Sequence, residues 1–517
     1  MSVAALLDRL DDWINPIVVK ELRQAVKSRL VVVILMGFLT VQLCVMGWYL
    51  GTVGAQADAG TANWSAGAGV FNVLQWVLLP TLMVVIPAHA GIRFGNERLD
   101  SNVDLLFIST LKPTQIVWGK FFAAFMLSLM VLSMVAPFMV FAYLMRGIDL
   151  PTMAVVIGID LLGMTGATMF FLFLGSIPGG RPVKVFFNIM GLIVLAYAFG
   201  GTGYFTYFLI HNEFGFFALD NWRFWVAAAA ITALVLAETA LLFFYAAAII
   251  SPPSSNRVMP IRLAVLGYWL LAGAALWLWS RSLRSTGMPD HFIPIVLWAG
   301  LGVNVLCRQL LVSVCERDEW GPRVARAIPR NPVLRFLAFF LYTGSAGGIA
   351  FTLLLMGATL GTTWLLLDDA GPFADRARDG VLAVAAGVCL YAVCYCLSAF
   401  VLRGYALREQ IRPGYTWILA ILLVGLGSAV PAIAFNVFFS DHVRGSADSG
   451  WWLLANPFIT PYELAMERGY RQHDFALMAW WFLSTWAVLA LVLSVPLLLG
   501  QAGRFRPYQG RAPAREG

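Results

Sequence analysis

Residues Gly95 to Lys120 read GNERLDSNVDLLFISTLKPTQIVWGK, and this stretch is the longest polar interruption in the first 140 residues. Ser101 and Asp104 have the spacing of a capping box, in which two side chains satisfy free backbone N–H groups at a helix start. Val103 and Leu106 then fall three residues apart, on one apolar face of a helix. The stretch therefore predicts a short amphipathic helix on the membrane surface, between two long apolar segments.

The composition of the whole chain is that of a membrane protein. Of its 517 residues, 60% are hydrophobic and 12% are charged, and the mean hydropathy is +0.78. A soluble protein of this size is about one quarter charged. We therefore expect an all-α membrane protein, a polytopic helical bundle of about twelve transmembrane helices. The predicted spans are 30–51, 71–92, 120–144, 152–175, 185–210, 223–250, 262–281, 292–315, 335–366, 380–402, 415–440 and 475–500. The ninth run is overlong, and we expect it to tilt or break near Gly344.

The distribution of Lys and Arg predicts the orientation of these spans. With both termini in the cytoplasm, cytoplasmic segments hold roughly three times as many Lys and Arg residues as external loops. A turn-rich linker from Ser251 to Asn256 separates two sets of six spans. The predicted parts are a cytoplasmic N-terminus, 1–29, a six-span core, 30–250, and a second six-span bundle with a cytoplasmic tail, 251–517.

A second amphipathic helix is predicted before the first span. Asn15 suits the N-cap and Pro16 the first helical position. Lys20, Arg23 and Lys27 share one face, which suits the headgroup layer of the cytoplasmic leaflet. The alternative is an ordinary basic cluster that only sets topology.

At these residues the sequence resembles the permease subunits of type-two ABC transporters, the exporter-like class. The stretch NPIVVKELRQAVKSR looks like the elbow helix of that family, which begins with Asn-Pro and continues with basic and acidic residues. The opening stretch resembles the family's loop between its second and third spans, although Leu99 and Thr110 depart from the pattern. The resemblance covers residues 15 to about 250. Matching or similar positions include Glu97, Arg98, Asp104, Leu105, Leu106, Pro113 and Lys120.

The resemblance implies roles for both helices. Residues 97–109 would form the coupling helix that docks on a separate ATPase subunit. The elbow helix would include Asn15, Pro16, Lys20, Glu21 and Arg23. The chain would lie in a bacterial inner membrane and act as a dimer of permease subunits, or alone if its halves are pseudo-equivalent.

Nucleotide chemistry is expected on the partner and not on this chain. The sequence has no G-x-x-x-x-G-K-[ST] loop to hold phosphates, so ATP and Mg would bind the ATPase subunit. No H-E-x-x-H or G-x-S-x-G motif is present, and the cysteines show no metal-ligand spacing. We therefore assign no catalytic residue, metal, bound cofactor or nucleic-acid partner. The expected partners are the ATPase, the lipid bilayer and, in a dimer, a second permease subunit.

Three ionisable residues fall well inside predicted spans: Asp160, Glu238 and Arg308. Such groups are costly in hydrocarbon and are usually paired or functional. Glu238 and Arg308 lie at matching depths, which suggests a pair that serves mutual neutralisation or a substrate path. Asp160 has no cation at its depth, and we expect it to face a wet cavity.

Two other classes of function remain open at this point. One is a non-transporting membrane scaffold that recruits an ATPase or an envelope complex. The other is a membrane-embedded enzyme, which would need convergent polar residues at one depth.

Overall fold

The computed structural model describes residues 16–27, 29–58, 66–99, 112–211, 219, 221–252, 255–285, 289–317, 320–368, 372–438, 453–465 and 470–507. Every regular element in these ranges is helical. Within these ranges twelve helices are long and apolar enough to cross a membrane, which confirms the predicted all-α, polytopic fold. The chain divides into two compact units, Met1–Ser251 and Pro252–Gly517.

The described part of the first unit contains one amphipathic helix and six spans. Its second span is built from α3 (Ala66–Pro80), a π-helical turn at Thr81–Val85, and α4 (Ile86–Leu99), and Pro80 immediately precedes that turn. The helices are α1 (Pro16–Lys27), α2 (Arg29–Asp58), α3 (Ala66–Pro80), α4 (Ile86–Leu99), α5 (Pro113–Leu144), α6 (Leu150–Ser176), α7 (Arg181–His211) and α8 (Trp222–Ile250).

Glycine allows α4 and α6 to pack closely in this unit. A Cβ atom added at Gly91 would lie 2.4 Å from the carbonyl oxygen of Phe171, and one added at Gly175 would lie 2.4 Å from the carbonyl oxygen of Gly91. Small residues of this kind let helix backbones approach in a membrane, where apolar packing provides no gain over lipid. This contact fixes the end of α4 beside the end of α6.

In its described residues the second unit contains six spans and several short helices. Its helices are α9 (Met259–Arg284), α10 (Ile293–Val314), α11 (Pro322–Ala327), α12 (Pro332–Leu341), α13 (Ser345–Asp368), α14 (Pro372–Tyr405), α15 (Thr416–Phe438), α16 (Thr460–Ala465) and α17 (Tyr470–Arg504). Helix α10 packs on α9, α13 and α14, and α14 also packs on α15 and α17.

The apolar run predicted as the ninth span is divided, as its length suggested. Helix α12 ends at Leu341, and the spanning helix α13 begins at Ser345. Gly344 lies between them with a φ of +154°, a backbone conformation that residues with a side chain rarely adopt. Ten residues are too few to cross the hydrocarbon core, so α12 is not part of the span.

Candidate functional site

Helix α1 turns its charged residues to two different environments. It begins at Pro16, as predicted, and packs against α5 and α2. Lys20, Arg23 and Lys27 are exposed, whereas Glu21 is only 8% exposed. The cationic face is therefore free to meet lipid headgroups, while Glu21 is directed into the protein. Asn15 lies outside the described residues.

Four charged residues meet where α1, the end of α4 and the start of α5 come together; we call them the ion cluster. The Nζ of Lys120 lies 2.8 Å from Oε1 of Glu21 and 2.6 Å from Oε2 of Glu97. The Nη2 of Arg93 lies 3.6 Å from Oε2 of Glu21, and its Nε lies 3.4 Å from Oε1 of Glu97. Arg93 also donates to Oε1 of Gln24 on α1. Two carboxylates and two cations thus balance at a junction of three helices.

The centre of the ion cluster is removed from solvent, because the side chains of Glu21 and Lys120 are buried, whereas those of Arg93 and Glu97 are 30% and 28% exposed. Lys120 is 7% exposed, and its ammonium lies 5.2 Å from the ring centroid of the fully buried Phe94. A cavity of about 40 Å³, room for little more than one or two waters, adjoins the cluster and is lined in part by His89. Charges held in such surroundings interact more strongly than exposed ones. The cluster therefore links α1 to two spans more firmly than a surface ion pair could.

The end of α4 has two further anchors. Arg98 donates to the carbonyl oxygen of Ser176 at the end of α6, and Lys184 at the start of α7 donates to the carbonyl oxygen of Gly95. Cations near a helix C-terminus stabilise carbonyl groups that lack a partner within the helix. Four helices of the first unit thus converge around the point where α4 ends.

The structure changes the predicted bounds of the coupling helix. Glu97 and Arg98 lie in the last turn of α4, which continues to Leu99, so a separate helix does not begin at residue 97. The reason is that the second-span helix runs beyond its apolar part into the polar sequence. Helix α5 does begin at Pro113, as predicted, and Gln115 accepts from the Lys112 backbone N–H at 2.9 Å. Asp104, Leu105 and Leu106 lie outside the described residues.

Asp160 is paired within the first unit. It has no exposed surface, so the predicted wet cavity beside it is wrong. Its two carboxylate oxygens each lie 2.6 Å from Nε2 of Gln75, which is 1% exposed. A hydrogen bond to an amide satisfies a buried carboxyl group without a cation. This contact joins α3 to α6 in the middle of the bundle.

Glu238 and Arg308 belong to different units. Glu238 lies half-buried on α8, and Arg308 lies half-buried on α10. Their pairing would join the first unit to the second, and it stays a prediction.

The second unit has its own buried ion pair. The Nη2 of Arg262, on α9, lies 2.7 and 2.6 Å from the two carboxylate oxygens of Glu316, which follows α10. Arg262 is fully buried and also donates to the carbonyl oxygens of Phe340, Tyr342 and Gly344, at 2.9, 2.8 and 3.0 Å. These carbonyls lie at the break between α12 and α13, so the guanidinium stabilises that break.

The carboxylate of this pair has a backbone partner as well. The Gly344 N–H donates to Oε2 of Glu316 at 2.6 Å. Burial raises the pKa of the Glu316 carboxyl, and the charge of Arg262 opposes that shift. Glu97 lies in the last turn of the second-span helix of the first unit, Glu316 lies just after the second-span helix of the second unit, and each is in an ion pair.

Some residues that form these buried contacts escaped the sequence analysis. Arg93 precedes Glu97 by one helical turn, a spacing that favours an ion pair and could have revealed it. Gln75 is a polar residue in an apolar run and was also recognisable as unusual. Nothing in the sequence distinguished Arg262 as a buried, paired residue, because basic residues are common at the ends of spans.

Comparison of the chain with protein-family models, with curated proteins and with solved structures finds no match.

Proposed function

We propose that this chain is the membrane-spanning permease subunit of an ABC-type export system, driven by a separate ATPase subunit. The docking element would be the segment 100–111, which lies between α4 and α5, and its motion would reach the spans through the ion cluster. The proposal extends a resemblance in sequence with the contacts of the described residues that flank this segment.

The observation that carries the proposal is the ion cluster. Glu97 lies just before the segment 100–111, Lys120 lies in the first turns after it, and their side chains are 2.6 Å apart. Both sides of the segment are thereby tied to each other and, through Glu21, to α1. A loop that only connected two spans would need no such link. A segment that transmits force would need one, because displacement of a loose loop would not move the helices.

The exposed residues of α1 fit the same role. With Glu21 held inside, Lys20 and Arg23 remain available to anionic headgroups at the predicted cytoplasmic face. Helix α1 would then remain at the membrane surface while the ends of α4 and α5 move against it. The spans would then move relative to a helix that keeps its position at the membrane surface.

The first experiment is affinity purification of the full chain from native membranes in a mild detergent, followed by identification of the bound proteins. Glu97 is unsuited to a docking test, because its substitution would also disturb the ion cluster. The test variant is therefore Asp104→Lys with Leu106→Ser, within the segment itself. The control is Arg323→Gln with Arg330→Gln, two exposed arginines of the second unit.

We expect a protein with a phosphate-binding loop to co-purify with the wild type and the control but not with the test variant. The absence of any ATPase from the wild-type sample would contradict the proposal. If an ATPase binds through the segment but the reconstituted complex moves no substrate while hydrolysing ATP, a scaffold that recruits the ATPase becomes the better assignment.

A further inference from the structure

The second unit contains a basic cavity that the proposed function does not use. It has a volume of about 220 Å³ and lies where α14 and α17 end, against the connection that leads to α15. Arg403, Arg408 and Arg504 line it together with apolar side chains that include Phe400, Ile411 and Leu497. The described residues that line it include no carboxylate.

The three arginines are held differently. Arg403 is 4% exposed, and its Nη1 lies 3.3 Å from Oγ1 of Thr416 and 3.4 Å from the carbonyl oxygen of Val314. Its guanidinium also lies 5.1 Å from the ring centroid of Phe400. Arg408 and Arg504 also line the cavity and are exposed. The cavity is thus lined by one buried, hydrogen-bonded cation and two exposed ones.

Among the described residues, the acidic side chains near this site are bound elsewhere or do not line the cavity. Glu316 follows Val314 closely, but its carboxylate is bound by Arg262 and by the Gly344 N–H. Glu409 is exposed beside Arg408 and is not among the lining residues. The cavity therefore offers a concentration of positive charge to an anion.

The position of the cavity identifies the kind of anion. The spanning segments of α14 and α17 end at Tyr405 and Arg504, so the cavity lies at the membrane boundary, on the side predicted to be cytoplasmic. Leu402, Tyr405 and Leu499 expose apolar surface beside it. A soluble anion would gain nothing from that surface, whereas a lipid could place its phosphate among the arginines and an acyl chain along the helices.

We propose that this cavity binds an anionic glycerophospholipid through its headgroup phosphate. Basic pockets between spans on the cytoplasmic side suit such headgroups, because arginine forms paired hydrogen bonds to phosphate oxygens. The volume is below the roughly 300 Å³ at which pockets for whole drug-sized ligands begin, so it suits a headgroup whose acyl chains remain in the bilayer.

The test uses the full chain in detergent and follows its thermal denaturation as lipid is added. The probes are phosphatidylglycerol, phosphatidylcholine, and inorganic phosphate at the same concentrations. The variant is Arg408→Gln with Arg504→Gln, because both side chains are exposed and their loss should leave the fold intact. The matched control is again Arg323→Gln with Arg330→Gln, which removes two exposed arginines outside the cavity.

We expect phosphatidylglycerol to stabilise the wild type and the control, and phosphatidylcholine to have little effect. The double variant should need about 25-fold more phosphatidylglycerol for half of the effect, since each of the two arginines near an anionic surface contributes roughly a fivefold factor. Equal responses to the two lipids, or an unchanged response of the variant, would overturn the proposal. Stabilisation by inorganic phosphate at the same concentration would assign the cavity to a soluble anion instead.

Discussion

The ion cluster makes Lys120→Met the most informative single substitution in the first unit. The methionine keeps an unbranched side chain but removes the ammonium that lies 2.8 Å from Glu21 and 2.6 Å from Glu97. Breaking a buried ion pair by removing one partner costs about 3–5 kcal/mol, because the remaining charge is left without compensation. Arg93 stays in place at longer distances, and the Glu97 side chain is 28% exposed. We therefore expect Lys120→Met to lower the free energy of unfolding by about 3 kcal/mol, the lower end of that range.

The assay is the free energy of unfolding in mixed micelles, measured by denaturant titration of the full chain. Lys20→Met is the control, because Lys20 lies in α1 next to Glu21 but is exposed. Surface substitutions of this kind usually change stability by less than about 0.5 kcal/mol. If Lys120→Met and Lys20→Met lose the same stability, the cluster does not hold the three helices together and the reasoning fails.

A triple variant distinguishes the loss of the ionic attraction from the cost of leaving carboxylates without a counter-ion. Glu21→Gln and Glu97→Gln, added to Lys120→Met, remove both carboxylates that the single substitution leaves without their ammonium. Replacing the charged members of a buried group by neutral ones is often close to neutral, and Arg93, the member that keeps its charge, has a side chain that is 30% exposed to solvent. The triple variant should therefore regain at least about 1 kcal/mol relative to Lys120→Met. A triple variant that is no more stable than the single one would contradict this account.

Three further substitutions test the other buried contacts by the same unfolding measurement. Gly348→Ala should lower the free energy of unfolding by about 1–3 kcal/mol, because the added Cβ would lie 2.6 Å from the Arg262 guanidinium. Gly357→Ala in the same helix is the control: its added Cβ would have no atom within 4 Å, so the substitution should be neutral or slightly stabilising. Arg262→Met should lower the free energy of unfolding by about 3–5 kcal/mol, because it leaves a buried carboxylate and three carbonyl groups without the guanidinium donor. A smaller loss of stability than for Gly348→Ala would contradict this account. Asp160→Asn should be nearly neutral, but Asp160→Leu should cost about 1–3 kcal/mol by leaving the Gln75 amide without an acceptor.

The parts of this structure that the sequence predicted are local ones. Spans follow from continuous apolar runs, and the helix starts at Pro16 and Pro113 follow from the fixed backbone angle of proline. The break near Gly344 was also recognisable, because the apolar run is too long for one span and contains glycines. Each of these features depends on a few neighbouring residues.

The contacts that build the candidate site depend on the packing of distant helices. Glu21 and Lys120 are 99 positions apart, and Gln75 and Asp160 are 85 apart. Which face of a helix is buried depends on the helices packed around it, and the sequence alone did not determine how each helix is rotated about its own axis. For the same reason Glu97 looked like a docking residue, although its carboxylate is bound inside the first unit.

The two buried ion groups also bear on how the protein's charge is distributed. The ion cluster has two acids and two bases, and the Arg262–Glu316 pair has one of each, so neither adds to the formal net charge of +7. That excess is carried by the remaining residues, among them exposed cations such as Lys20 and Arg23. The surface potential that attracts anionic lipid is therefore separate from the charges that hold the helices together. Salt screens exposed charges far more than buried ones. It should therefore weaken the attraction to anionic lipid while leaving the ion pairs between helices almost unchanged.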